Sequence, residues 1–253
     1  MVLELKNVSG GYGKKQVLFN INAAFEKGAV TSVIGKNGCG KSTLLQMCCG
    51  LLSPSEGEIF IGGENIQNLK RTDLAKKISY LSQSHTVGNI TVRSLVSHGR
   101  FPYLGYPRKY SSLDREKIAE AMELAEVTAI ADMYACELSG GQLQRVYIAM
   151  LLAQDTDIML LDEPTTYLDL IRQIELMELI TRLRDMGKTV IMVVHDLNTA
   201  LMHSDRIITM DGGKIVEAAT PHGTAQSEKV RQALGVDIFY EENAGQYFFR
   251  KVK

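Results

Sequence analysis

The run Gly35-Lys36-Asn37-Gly38-Cys39-Gly40-Lys41-Ser42-Thr43 has the spacing Gly-x4-Gly-Lys-[Ser/Thr], a pattern whose chemistry is the binding of phosphate. Gly35, Gly38 and Gly40 let successive backbone N–H groups point inward, with no Cβ in the way of an anion. Lys41 can reach the β- and γ-phosphates. At about 4 Å, in an effective dielectric near 20, such an ion pair gives on the order of 4 kcal/mol before desolvation. Ser42 offers a hydroxyl to Mg2+. A second cluster, Asp162-Glu163-Pro164, pairs a carboxylate suited to a Mg2+ shell with one able to polarise an attacking water as general base. His195 can donate to a γ-phosphate oxygen or to that water, or can serve as a turn histidine. Gln83 carries an amide able to complete a metal shell, to position water, or to do neither as an ordinary loop residue. Tyr12, set between glycines, has a flat ring that can stack on adenine or stand exposed in a turn. A further Gly-rich run, Leu138-Ser139-Gly140-Gly141-Gln142, places a hydroxyl and bare N–H groups at a helix mouth. One triphosphate hardly needs two such loops, and one resolution is that this second loop serves the nucleotide of another subunit.

These residues need strands and helices to carry them. Residues 29–34 form an apolar, β-branched run that predicts a buried strand leading into the phosphate loop, and Leu44-Leu45-Gln46-Met47 begins a helical pattern. The mouth of that helix adds roughly half a positive charge. Ile158-Met159-Leu160-Leu161 is a buried strand delivering Asp162, residues 189–194 deliver His195, and residues 78–82 deliver Gln83. In open α/β sheets, ligands bind at such strand ends. The opening residues predict two strands (2–8 and 17–25) on either side of a turn cluster at 9–14, with another strand at 58–61.

From residue 84 to 154 strand patterns give way to helical ones. Thr91 caps a helix carrying Val92, Leu95 and Val96, residues 99–107 break it, and Ser111-x-x-Asp114 opens a helix with Ile118, Ala121, Met122 and Ala125 on its core face. The expected organisation is one α/β domain made of residues 1–83 and 155–253, with a helical subdomain (84–154) inserted in it. Asp169 caps a helix bearing Ile171, Ile174, Met177 and Leu183, which Gly187 closes. Beyond a strand at 206–210 and the hairpin turn Asp211-Gly212-Gly213-Lys214, a helix at 227–234 and a hairpin around Asn243-Ala244-Gly245 make a tail without an interpretable motif.

The 253 residues can bury a full core, and a net charge of -1 supplies no general attraction for nucleic acid. The four cysteines have no metal spacing, and Cys48 and Cys49 are adjacent, so a reducing cytosol is expected. No apolar run approaches the roughly 20 residues that span a bilayer, and the first residues lack the character of a signal peptide. Work at a membrane would therefore depend on another subunit.

In order and spacing, the phosphate loop, Gln83, Leu138-Ser139-Gly140-Gly141-Gln142, Leu160-Leu161-Asp162-Glu163-Pro164, Leu168-Asp169 and His195 resemble the ATP-binding-cassette family over essentially the whole chain. The Leu-Ser-Gly-Gly-Gln pentapeptide is its most specific mark. The resemblance implies an α/β phosphate-loop NTPase (RecA-like) core with an N-terminal antiparallel β subdomain and an inserted α-helical subdomain. It also implies ATP and Mg2+ as ligands. Residues 35–43 and Tyr12 would hold one face of the nucleotide, and Ser139, Gly140, Gly141 and Gln142 of a twin subunit would hold the other. Metal binding would fall to Ser42, Gln83 and Asp162, and catalysis to Glu163, His195, Gln83, Lys41 and Asp169. One departure is Lys36, where the family often has proline; its cation can lie near the phosphates and tighten nucleotide binding, or point to solvent. Cys39 is expected to confer sensitivity to thiol reagents, with ATP protecting.

Gly99-Arg100-Phe101-Pro102-Tyr103 and Glu163-Pro164-Thr165-Thr166-Tyr167-Leu168-Asp169 are similar to the ATPase subunits of bacterial metal-chelate importers, which take up iron-siderophore complexes, haem or cobalamin. That similarity implies permease and substrate-binding-protein partners, no nucleic acid, and a peripheral position on the cytoplasmic face of the inner membrane. Residues 101–107 would form part of the surface that receives a permease helix. Exporter ATPases and DNA- or ribosome-acting relatives are the alternatives; the latter usually carry a long coiled-coil insertion or a second cassette, and this chain has neither.

Overall fold

A computed structural model of the protein describes every residue except 84–87, 167 and 253. The first four residues of the expected insert, and Tyr167, therefore lie outside the described residues. The chain runs through β1 (Leu3–Tyr12), β2 (Lys15–Phe25), β3 (Val30–Gly35), α1 (Lys41–Cys48), β4 (Glu56–Ile61), β5 (Glu64–Asn65), α2 (Arg71–Leu74) and β6 (Ile78–Leu81). Three helices follow: α3 (Val92–Ser97), α4 (Ser112–Leu124) and α5 (Gly140–Gln154). Then come β7 (Ile158–Asp162), α6 (Leu170–Asp185), β8 (Thr189–Val193), α7 (Leu197–His203), β9 (Arg206–Asp211) and β10 (Lys214–Ala219). The chain ends with α8 (Pro221–Gln226), α9 (Glu228–Leu234), β11 (Val236–Glu241) and β12 (Gln246–Lys251).

Six strands form the central sheet in the order β10-β9-β3-β8-β7-β6, parallel except for the β9–β10 hairpin. β7 and β8 are buried along their whole length, as continuous apolar runs in the middle of a parallel sheet must be. Their side chains alternate between two cores. Met159 and Leu161 of β7 join the core shared with the helical segment, while Ile158 and Leu160 join the one under the antiparallel sheet. That second sheet has the order β2-β1-β4-β5. β1 corrects the expected turn cluster: the strand continues through Ser9–Tyr12 with shifts of register, and only Gly13 and Lys14 turn. Gly11 is needed for close approach, because a Cβ there would lie 2.1 Å from the Lys15 carbonyl oxygen.

The helices after β6 are capped as their residues predict. Thr91 accepts from Ser94 N at 3.3 Å, and Ser111 and Asp114 form a reciprocal capping box. Arg100, in the stretch 99–103 that resembles the metal-chelate importers, has a buried side chain that pairs with Asp114 at 2.8 Å and donates to the Ala153 carbonyl at 3.0 Å. Its guanidinium also stacks on Tyr103, 3.8 Å from the ring centre. Arg100 therefore joins the segment before α4 to the end of α5, and Phe101, Tyr103 and Tyr106 are the exposed aromatics of the segment.

Burial disfavours the charge on Asp114, but hydrogen bonds from Ser111 and the Arg100 guanidinium outweigh it and hold the carboxyl below its usual range. Arg100→Ala would strand that carboxylate in the interior and should cost about 3–5 kcal/mol of stability at neutral pH, measured by urea denaturation. Because the folded pKa is depressed, the stabilisation is present above the unfolded value of about 3.9 and is lost as pH falls through the folded one. The gap between variant and unaltered protein should accordingly close only in acid.

Candidate functional site

The central strands bring the phosphate loop and both carboxylates to one edge of the sheet. β3 ends at Gly35, residues 36–40 cross the edge, and α1 starts at Lys41. Gly40 caps α1 at φ 104°, and a Cβ there would meet Leu18 at 2.7 Å, so glycine is required by both conformation and space. Lys41 is buried, and its ammonium donates to the carbonyls of Gly35 at 2.8 Å and Lys36 at 3.1 Å, fixing it across the loop. A cleft of about 430 Å³ opens above, lined by Tyr12, Asn37, Gly38, Gly40, Lys41, Ser42, Thr43, Gln83, Glu163 and His195 from the expected set. Lys15 and Val17 line it too. They lie at the start of β2, and only the pairing of β1 with β2 brings them beside Tyr12. Lys36 is exposed outside the cleft-lining set and contributes its carbonyl to Lys41.

Tyr12 is half exposed at the rim, its hydroxyl donating to Gln46 at 2.8 Å and accepting from Thr43 at 3.4 Å. Those bonds fix the ring, which can then present a face to a flat heterocycle.

The two carboxylates at the end of β7 occupy different surroundings. Asp162 is buried; its oxygens accept from Ser42 Oγ at 3.0 Å and Tyr80 OH at 3.2 Å. Burial pushes its pKa up, with the two hydroxyls opposing. Burial and the adjacent Asp162 charge also push the Tyr80 phenol up, so it remains a donor. A buried carboxylate with hydroxyl partners, next to a phosphate loop, suits a hard divalent cation. Among the described residues no group of three His, Cys, Asp or Glu is arranged for a metal. Mg2+ held by Ser42 and Asp162 would take its other ligands from phosphate and water, and would supply charge neutralisation at the phosphates.

Glu163 turns the other way. It adopts φ 54°, left-handed for a residue with a side chain, at a cost of about 1–2 kcal/mol. Its N–H donates to Val193 O at 3.1 Å. Its carboxylate accepts from Gln83 Nε2 at 2.6 Å and Thr166 Oγ1 at 3.2 Å, and pairs with His195 Nε2. Gln83 thus meets Glu163 rather than the Ser42–Asp162 pair. Tyr80 and Thr166, which sequence reasoning passes over, hold the two acids: Tyr80 is an ordinary polar residue until β6 pairs with β7, and Thr166 reaches back to Glu163 from three residues on.

Ser139 to Gln142 stand apart from this cleft. Ser139 N-caps α5, its Oγ accepting from Gln142 N at 3.4 Å while Gln142 Oε1 accepts from Ser139 N at 3.1 Å. Ser139, Gly140 and Gln142 are exposed, and none of the four residues lines the phosphate cleft. Asp169 caps α6 through a bond from Arg172 N at 2.9 Å and is also outside the cleft-lining set. Within one chain the expected site is therefore in two pieces.

A family model described as ABC transporter matches residues 18–166. The chain belongs to the ABC transporter family. It is 42% identical over 228 residues to the ferric enterobactin transport ATP-binding protein FepC of Escherichia coli (strain K12), a match spanning 89% of this chain and 84% of that protein. It is 38% identical over 253 residues to the petrobactin import ATP-binding protein YclP of Bacillus subtilis (strain 168), spanning 98% of this chain and 100% of that one. Among solved structures, the dimeric structure of MJ0796, a bacterial ABC transporter cassette, aligns with a TM-score of 0.77 at 33% identity, over 87% of this chain and 98% of that one.

The surroundings of Cys39 oppose the expected thiol reactivity. Its side chain is buried against Gly35, and burial pushes the thiol up despite the opposing Lys41 charge, so the nucleophilic thiolate is scarce at neutral pH. Cys136 is exposed. Iodoacetamide at neutral pH should label Cys136 well before Cys39, with or without nucleotide, as read by peptide mass spectrometry. Equal rates at the two sites would contradict this.

Proposed function

We propose that the chain is the ATP-hydrolysing subunit of a bacterial importer for iron-siderophore complexes and acts as a head-to-tail homodimer. The separation of the exposed Ser139 turn from the phosphate cleft carries the dimeric reading, because each piece lacks what the other supplies. The dimeric MJ0796 cassette supports it. So do Leu170, Ile171 and Ile174, which leave an apolar patch in solvent beside Asp169. The names of FepC and YclP support the transported class.

In this reading Lys41, the phosphate-loop N–H groups and Ser42 of one subunit bind the triphosphate while Tyr12 stacks on adenine. Ser139, Gly140, Gly141 and Gln142 of the other subunit close over the γ-phosphate. Ser42 and Asp162 hold Mg2+. Glu163 orients and deprotonates the attacking water, Gln83 and His195 hold the Glu163 carboxylate, and His195 lies where it can also meet the γ-phosphate. Asp169 fixes the loop that faces the twin subunit. Loss of the γ-phosphate removes contacts shared by the two subunits and reopens the dimer.

Among the described residues no helix is long and apolar enough to cross a membrane. We place the protein on the cytoplasmic face of the cell membrane, held by permease subunits served by a substrate-binding protein. The exposed aromatics Phe101, Tyr103 and Tyr106 give the helical subdomain a surface for the permease.

Glu163→Gln should lower kcat by about 10²–10⁴-fold, the usual worth of a general base, while ATP binding persists. Size-exclusion chromatography with light scattering should find that variant dimeric with ATP and monomeric without it. Full turnover by the variant would remove Glu163 from the role of base.

A further inference from the structure

The first turns of α5 are fastened to the segment following Glu163 in the same chain. Gln144 Nε2 donates to the Pro164 carbonyl at 2.9 Å. Arg145 donates to Glu126 at 2.7 Å and to Glu175 of α6. Gly141 lies against the same segment: a Cβ there would sit 3.6 Å from Leu168 and 3.7 Å from Arg172.

Of these ties, the Gln144 bond ends on the residue next to Glu163. A left-handed φ at a residue such as Glu163 persists only where its neighbours hold it. Pro164 has no N–H to contribute, so its carbonyl is the one backbone group by which this residue can be held, and α5 holds it there. Gln144 and Pro164 are both shielded from full solvent, which strengthens the bond's hold.

We infer that Gln144 is a positioning residue for hydrolysis: through the Pro164 carbonyl it fixes the turn that aims Glu163, and it joins that turn mechanically to the Ser139 turn on the same helix. The inference rests on the proposed roles of Glu163 as base and Ser139 as part of the twin subunit's site. Under those roles, docking of Ser139 on one nucleotide is felt by the Glu163 that acts on the other. The two sites of the dimer are thereby linked through rigid helix contacts within each chain.

The test uses three substitutions of similar reach in the full-length protein: Gln144→Met, which has no donor, Gln144→Glu, which presents an acceptor, and Gln144→Lys, which keeps a donor. Gln144→Met should lower kcat for ATP by about 10-fold or more, the scale on which small misplacements act, with KM unchanged. Gln144→Glu should be worse at alkaline pH and should recover relative to the unaltered protein as the solution is acidified, because a protonated carboxyl donates. Gln144→Met should show no such recovery, and Gln144→Lys should retain most of kcat.

Unaltered kcat in Gln144→Met and Gln144→Glu would overturn the inference. So would a parallel loss of kcat, raised KM and lowered melting temperature in all three, since that pattern belongs to a residue with only a structural part. Absence of ATP turnover in the unaltered protein would overturn the functional reading itself, and this inference with it.

Discussion

Three neighbouring parallel strands, β3, β8 and β7, finish at the same edge of the sheet, and the chemistry depends on that coincidence. Asp162 pairs in register with Val193, and Val33 pairs with the same Val193 from the other side. The chain emerging from each strand therefore reaches the same small volume, as the phosphate loop, as Glu163 and as His195. A parallel sheet buried on both faces cannot slip by one residue without turning its apolar side chains to the wrong core. The alternation of β7 between two cores thus fixes the register, and the register fixes the distance from Ser42 to Asp162.

Two adjacent carboxylates then acquire opposite characters from a single turn. Asp162, still in the strand, points into the interior, where two hydroxyls and burial shape its charge. Glu163, one residue on, takes a left-handed backbone and points into the cleft toward Gln83, Thr166 and His195. The strain is local, and the bonds around it come from β8 and the residue after it, from Gln83 beyond β6, and from the segment Glu163 itself begins.

Much of this was legible in the sequence because it was written in short-range terms. The phosphate loop, the apolar strands at 29–34, 158–161 and 189–194, and the caps at Thr91, Ser111 and Asp169 each declare themselves within a few residues. What escaped notice depends on pairing between distant segments. Lys15 and Val17 reach the cleft only because β2 folds back on β1, and Tyr80 meets Asp162 only because β6 lies beside β7. Gln144 is one polar residue of a helix until Pro164 is set against it. Cys39 shows the converse: residue type suggests reactivity, while burial opposes it.

In the proposed dimer each polypeptide holds two halves of different sites. Mixing two inactive variants tests this most directly: Lys41→Ala, which loses the phosphate cation, and Ser139→Glu, which sets a negative charge against the phosphates. In a mixed dimer one site carries both defects and the other carries neither, so ATPase activity should return on mixing, although neither variant alone hydrolyses ATP. A mixture that forms dimers yet stays inactive, or a fully active Ser139→Glu homodimer, would contradict the claim that the site is completed by a second copy.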